Sequence, residues 1–207
     1  MNKFSLISII LLFILISCKS GSTNPDDSCT VLGKTYTNSD TMVVVNQGKL
    51  NKFPVCILYL ENVKYLSVAY NEISSIPETI VNLKKLIQFA IAENPITELP
   101  ENIGQMTNLI AFIGQGTKLA SLPLSFGSLQ NLEELDLNHT NIEVFPECIT
   151  NLKALKSLDL SNTPLQNVPE SIKNLKDNLK ELWLTQTMIS SQLKDTLRVW
   201  LPKTQIN

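Results

Sequence analysis

Residues 155–175 read LKSLDLSNTPLQNVPESIKNL, and their spacing decides the fold. Leu155, Leu158, Leu160, Leu165, Val168, Ile172 and Leu175 are the apolar positions. Leu158 and Leu160 flank Asp159 in the alternation that a half-buried strand requires. The same pattern opens at Leu86, Leu109 and Leu132, so it recurs every 23 residues. Upstream, a further copy opens at Val63 and a worn one at Asp40; downstream, one opens at Leu179 after a single extra residue. That makes seven copies. Six of the ten prolines fall in one column, Pro54, Pro77, Pro100, Pro123, Pro146 and Pro169, which chance does not arrange.

One such unit cannot bury its apolar face alone. Stacked units can, by forming a parallel sheet and a continuous core. Aromatic residues make up only 6% of the chain, so that core must be mainly aliphatic. After the proline column, Glu78, Glu101, Glu147 and Glu170 recur at the next position. Proline suits the first turn of a helix and an acid there suits the N-terminal dipole. Short helical turns are therefore predicted on the outer side, pinned by Ile80, Ile103, Phe126, Ile149 and Ile172.

The pattern LxxLxLxx[NT]xLxxLPxxIxxLxx resembles the leucine-rich-repeat family. The resemblance implies an α/β solenoid, a curved horseshoe with one parallel sheet on its concave face and short helical turns on its convex face. In that family the ninth position is an Asn that bridges buried backbone groups of neighbouring coils. Asn71 and Asn94 hold it here, while Thr117, Thr140, Thr163 and Thr187 replace it later and Gly48 occupies it in the first copy. A Thr hydroxyl donates one hydrogen bond, so a Thr ladder should satisfy fewer groups than Asn. Gly114 stands where the strand's last Leu belongs, which predicts a packing gap or a local deviation.

The ends divide the rest of the chain. Lys3 and the eleven nearly all-apolar residues from Leu6 to Ile16 fit a signal peptide over 1–17. Leu15-Ile16-Ser17-Cys18 resembles a bacterial lipobox, which implies lipidation of Cys18 and contact with the membrane through it. Residues 18–28 read as a flexible polar tether, 29–39 as an N-terminal cap, 40–189 as the repeats and 190–207 as a C-terminal helical cap. In that last cap Leu193, Leu197, Trp200 and Leu201 share a helical face, Ser190 or Ser191 is the N-cap and Pro202 the stop. Cys29 and Cys56 are a candidate disulfide sealing the first coil; the alternative is that they and Cys148 are buried thiols.

Groups suited to catalysis are few in the sequence. His139 is the sole histidine, and no Cys or His pair has metal-ligand spacing. No Gly-rich phosphate loop occurs, and without a basic run nothing suggests nucleic acid. No catalytic residue, metal or other cofactor is expected. What remains is the concave wall. Along it the sequence places Met42, Val44, Tyr65, Tyr70, Ala90, Ala92 and Ile113 in the first half, then Glu134, Asp136, His139, Asp159, Glu181 and Trp183. Exposed aromatic residues are typical interface anchors, and an acidic stretch favours a basic partner or a cation.

These features lead to the expectation of a non-catalytic lipoprotein of the bacterial cell envelope. Its concave face would bind a protein or peptide partner. Lys19 stands after Cys18 in place of an acidic residue, which favours the outer membrane. Two alternatives stay open: a structural envelope protein, and an inhibitor or accessory subunit of an exported enzyme.

Overall fold

The computed structural model describes residues 28–207. The signal peptide, Cys18 and the tether as far as residue 27 lie outside the described residues, and Ser28 already opens the first strand.

Three-residue strands form wherever the LxL alternation occurs: β3 (Met42–Val44), β4 (Tyr65–Ser67), β5 (Gln88–Ala90), β6 (Ala111–Ile113), β7 (Glu134–Asp136), β8 (Ser157–Asp159) and β9 (Glu181–Trp183). They pair in parallel, in sequence order and in strict register. The central residue of each points into the core, where Val43, Leu66, Phe89, Phe112, Leu135, Leu158 and Leu182 are buried. The expected leucine-rich-repeat horseshoe is therefore the fold.

The predicted outer turns form as 3-10 helices, for example Glu78–Asn82, Glu147–Asn151 and Glu170–Leu175. Ile80, Ile103, Phe126, Ile149 and Ile172 anchor them, each fully buried. In two places the turns approach so closely that only glycine fits: a Cβ on Gly104 would lie 2.0 Å from the Ser125 carbonyl oxygen, and one on Gly127 2.8 Å from that of Cys148. The expected gap at Gly114 is absent. A Cβ there would sit 2.9 Å from a Phe112 ring carbon, because Phe112 fills the space a Leu would take. The Phe112 ring meets Phe89 and Phe126 edge-on, at centroid distances of 6.0 and 5.5 Å.

The interior hydrogen bonds follow the ninth position. The Asn71 side-chain amide donates to the carbonyls of Val45, Val68 and Ala69, and its oxygen accepts from the amides of Gly48 and Leu50. Asn94 reaches Val68, Ile91 and Ala92 and accepts from Ile73. Each Thr makes one short bond within its own coil, as Thr140 does to Leu137 at 2.7 Å. A second ladder, not foreseen from sequence, runs before the strands. There Asn62, Asn108, Asn131 and Asn178 each donate to a carbonyl of the preceding coil.

Both ends are closed. The N-terminal cap, which the sequence reads poorly, is an antiparallel hairpin of β1 (Ser28–Val31) and β2 (Lys34–Thr37). Its two-residue turn, Leu32-Gly33, has positive φ at both positions, the pattern of tight hairpins. Cys29, Val31 and Tyr36 bury themselves over the first coil, and the Tyr36 hydroxyl donates to the Val44 carbonyl. A disulfide joins Cys29 to Cys56, while Cys148 is a buried free thiol. At the other end α1 (Ser191–Trp200) starts at Ser190, whose hydroxyl accepts from the Leu193 amide. Leu197 and Leu201 are fully buried, and Leu193 and Trp200 pack against the core. Beyond it β10 (Gln205–Ile206) adds an eighth parallel strand, a feature no repeat spacing predicted.

Candidate functional site: the concave wall

Because the strands are in register, their outward residues line up as rows across the wall. One row runs Met42, Tyr65, Gln88, Ala111, Glu134, Ser157, Glu181. The next runs Val44, Ser67, Ala90, Ile113, Asp136, Asp159, Trp183. Ten of the sequence-predicted wall residues therefore share one face, while Tyr70, Ala92 and His139 lie just beyond the strands. They are not equally open, since neighbouring strands shield most of the second row.

In the first half Ala69, Ala90, Ala92 and Ile113 form a small apolar cluster of their own, separate from the main core, with Tyr70 packed on it. Ile113 is a floor residue here, and Tyr70 is half-buried against the cluster. Tyr65 is also half-buried, one row away.

Asp136 adjoins this apolar floor on the next strand, paired directly with Asp159. Both are buried, at 6% and 7% exposure. Each carboxylate accepts a backbone amide two residues on, from Asn138 at 3.0 Å and from Ser161 at 2.8 Å. Burial, together with the Asp159 charge and against the Asn138 bond, pushes the Asp136 carboxyl up to about 6. Glu134 is raised as well, by burial first and then by Glu133 and Glu181, with Lys156 opposing. The wall thus holds carboxyls whose charged form burial disfavours, and an opposite charge beside them would favour that form. Trp183 closes the second row; its indole N–H points to Glu181 at 3.4 Å.

His139 is exposed and stands in a row of left-handed residues that no sequence signal announced. Gln47, Tyr70, Glu93, Gly116, His139, Asn162 and Gln186 all have positive φ, and only one of them is glycine. Its ring Nδ1 meets the side-chain oxygen of the adjacent Asn138. Among the described residues, no group of three or more His, Cys, Asp or Glu side chains could hold a metal ion. No helix among them is long and apolar enough to cross a membrane.

Comparison with known proteins agrees with this geometry. A family model described as a leucine-rich repeat region matches residues 54–140, and one described as leucine rich repeat matches 118–165. No curated protein sequence matches the chain. Among solved structures, an internalin from Listeria monocytogenes superposes with a TM-score of 0.68 at 23% identity, covering 80% of this chain and 46% of that one. A leucine-rich-repeat protein of Leptospira interrogans gives 0.56 at 20% identity, covering 81% and 66%. A plant peptide hormone receptor, RGFR1, in complex with RGF2 gives 0.66 at 26% identity, covering 83% and 32%. The chain thus spans between a third and two thirds of the length of these structures. Repeat period, in-register parallel sheet, outer 3-10 turns and matching models together place the chain in the leucine-rich-repeat family.

Proposed function

We propose that the protein is a non-catalytic lipoprotein of the bacterial cell envelope that binds a protein or peptide partner on its concave wall. The observation that carries this reading is the wall itself. A buried apolar floor at Ala90, Ala92 and Ile113 adjoins a pair of shielded carboxylates at Asp136 and Asp159. Half-open aromatic residues, Tyr65 and Trp183, stand on either side along the solenoid. Leucine-rich-repeat folds commonly mediate protein–protein binding through such curved surfaces, and the similar plant receptor holds RGF2. The signal peptide, the lipid on Cys18 and a place in the outer membrane are supported by the residues 1–19 alone.

A pull-down from envelope extract tests the binding surface. Tyr65→Ala, Trp183→Ala and the double change Asp136→Asn/Asp159→Asn should each lose the captured partner, while Leu124→Ala on the outer surface should keep it. Retention by all three wall variants would show the site to be misplaced. Mass spectrometry of membrane-extracted protein tests the anchor; an unmodified Cys18 would remove it. A second reading, a structural envelope protein acting through its outer surface, draws on the exposure of Leu124 and Val144 there. It predicts the reverse pattern in the same pull-down.

A further inference from the structure

The strands all run one way, so the solenoid has two distinct flanks, one before the strands and one after them. The segments before the strands stack coil upon coil through backbone bonds, from Lys64 to Ile87, Ile110, Glu133, Lys156 and Lys180. Eight lysines lie on this flank against four acids, Asp40, Glu61, Glu133 and Asp177. Lys156 and Lys203 are taken up by Glu133 and Asp177. The other six, Lys64, Lys84, Lys85, Lys153, Lys176 and Lys180, are exposed and belong to no ion pair among the described residues. The opposite flank carries Glu72, Glu93, Glu98 and Glu143 against Lys49, Lys52 and Lys118 among residues 47–55, 70–78, 93–101, 116–124, 139–147 and 162–170. The short outer turns explain part of this, since a base suits their C-terminal ends and an acid their N-terminal ends. They do not explain Lys64, Lys85 and Lys180, which stand beside the strand starts.

The chain also enters the fold on the basic side. Ser28 pairs with Thr37, and the next residue, Asn38, accepts from the Asn62 side chain and the Glu61 amide, both on the lysine flank. Polar residues 19–27 separate Ser28 from Cys18.

We propose that the lysine flank is a docking surface for the anionic headgroups of a phospholipid bilayer, and that it stands the solenoid with its strands pointing away from the membrane. The proposal rests on the lipid-anchored reading above for its tether. A bilayer fits the flank because the positive charge stands at both ends of its length, at Lys64 to Lys85 and Lys153 to Lys203, is carried by lysine alone and needs no shaped pocket. The opposite flank, which has no such excess of lysine, then faces away. The concave wall opens sideways, clear of the lipid and free for a partner.

Amine-reactive footprinting of the full chain tests this. The protein is reconstituted in vesicles of phosphatidylcholine alone or of phosphatidylcholine with phosphatidylglycerol, and labelling of each lysine is followed by mass spectrometry. Labelling of Lys64, Lys84, Lys153 and Lys180 should slow several-fold on the anionic vesicles, recover at high salt and stay fast on neutral ones, with Lys49 and Lys118 unchanged throughout. Each lysine near an anionic surface adds about fivefold to partitioning. The triple change Lys84→Glu/Lys153→Glu/Lys180→Glu should therefore abolish protection of Lys64 and Lys176 without altering the circular dichroism spectrum. Equal labelling on both vesicle types would overturn the proposal. So would equal protection without vesicles at the same protein concentration, which would assign the flank to a second copy. Failure of the anchor reads differently: the chain would not float with neutral vesicles, while protection on anionic ones would persist.

Discussion

The two halves of the solenoid solve the same burial problem with different chemistry. In the first half Asn71 and Asn94 tie each coil to its predecessor through side-chain amides that reach four or five backbone groups apiece. In the second half Thr117, Thr140, Thr163 and Thr187 each satisfy one carbonyl of their own coil and none of the next. The first half is also closed by a disulfide-held hairpin, whereas the second is closed by packing of α1 and one added strand. Neighbouring coils of a solenoid stabilise one another locally, so these differences should be felt where they occur. The wall follows the same division: apolar and partly sealed over the Asn coils, acidic and electrostatically raised over the Thr coils.

The largest effect that could break this comparison is expected from Asn94→Ala. It strands the Ile91 carbonyl and the Ile73 amide and unties the coil from Val68, and should cost about 3 kcal/mol, read as a shift in urea midpoint. Hydrogen exchange should localise the loss to the first coils; a uniform loss would show that the halves are not independent.

Reduction of the Cys29–Cys56 bond, which closes a sequence separation of 27, should cost about 3 kcal/mol. That loss should appear first at Tyr36, by tyrosine fluorescence or exchange, with the Thr coils intact. Thr140→Val should be milder, about 1–2 kcal/mol, since only the Leu137 carbonyl loses its donor. A cost equal to that of Asn94→Ala would erase the distinction between the two kinds of coil.

The smallest effect concerns pH. The Asp136 pKa is raised in the fold, to about 6, so the folded state binds a proton more tightly than the unfolded chain does. Stability from this group is present at acid pH and is lost as pH rises through about 6. Asp136→Asn should therefore raise stability near pH 7.5 by about 1 kcal/mol and flatten the pH dependence between about 4 and 6. A variant less stable than the parent at neutral pH would mean the carboxylate is held by contacts stronger than its burial cost.

Much of the fold was legible because period alone carries it. A 23-residue recurrence of LxxLxL admits one packing, and the proline and isoleucine columns placed the outer turns. The weaker hydrogen bonding of the Thr coils followed from counting donors. The cap hairpin was not legible, since four-residue strands with Gly33 in the turn occur once and have no copy to compare. Nor was β10, because two residues after a helix carry no periodic signal. The packing gap allowed for at Gly114 is filled, because the missing side chain was compensated by Phe112, two residues earlier and larger than the usual Leu.

The sequence by itself determined which side chains form the core and which residues share the concave wall, because register in a solenoid is set by the repeat. Only the tertiary structure decided how open those wall residues are. Asp136 and Asp159 are sunk between neighbours, Ile113 is floor, and Tyr65 and Trp183 stay half-open, because exposure depends on the side chains of adjacent coils. It also gathered lysines scattered along the chain onto the flank where the chain enters, since stacking brings together positions that lie a full coil apart in sequence.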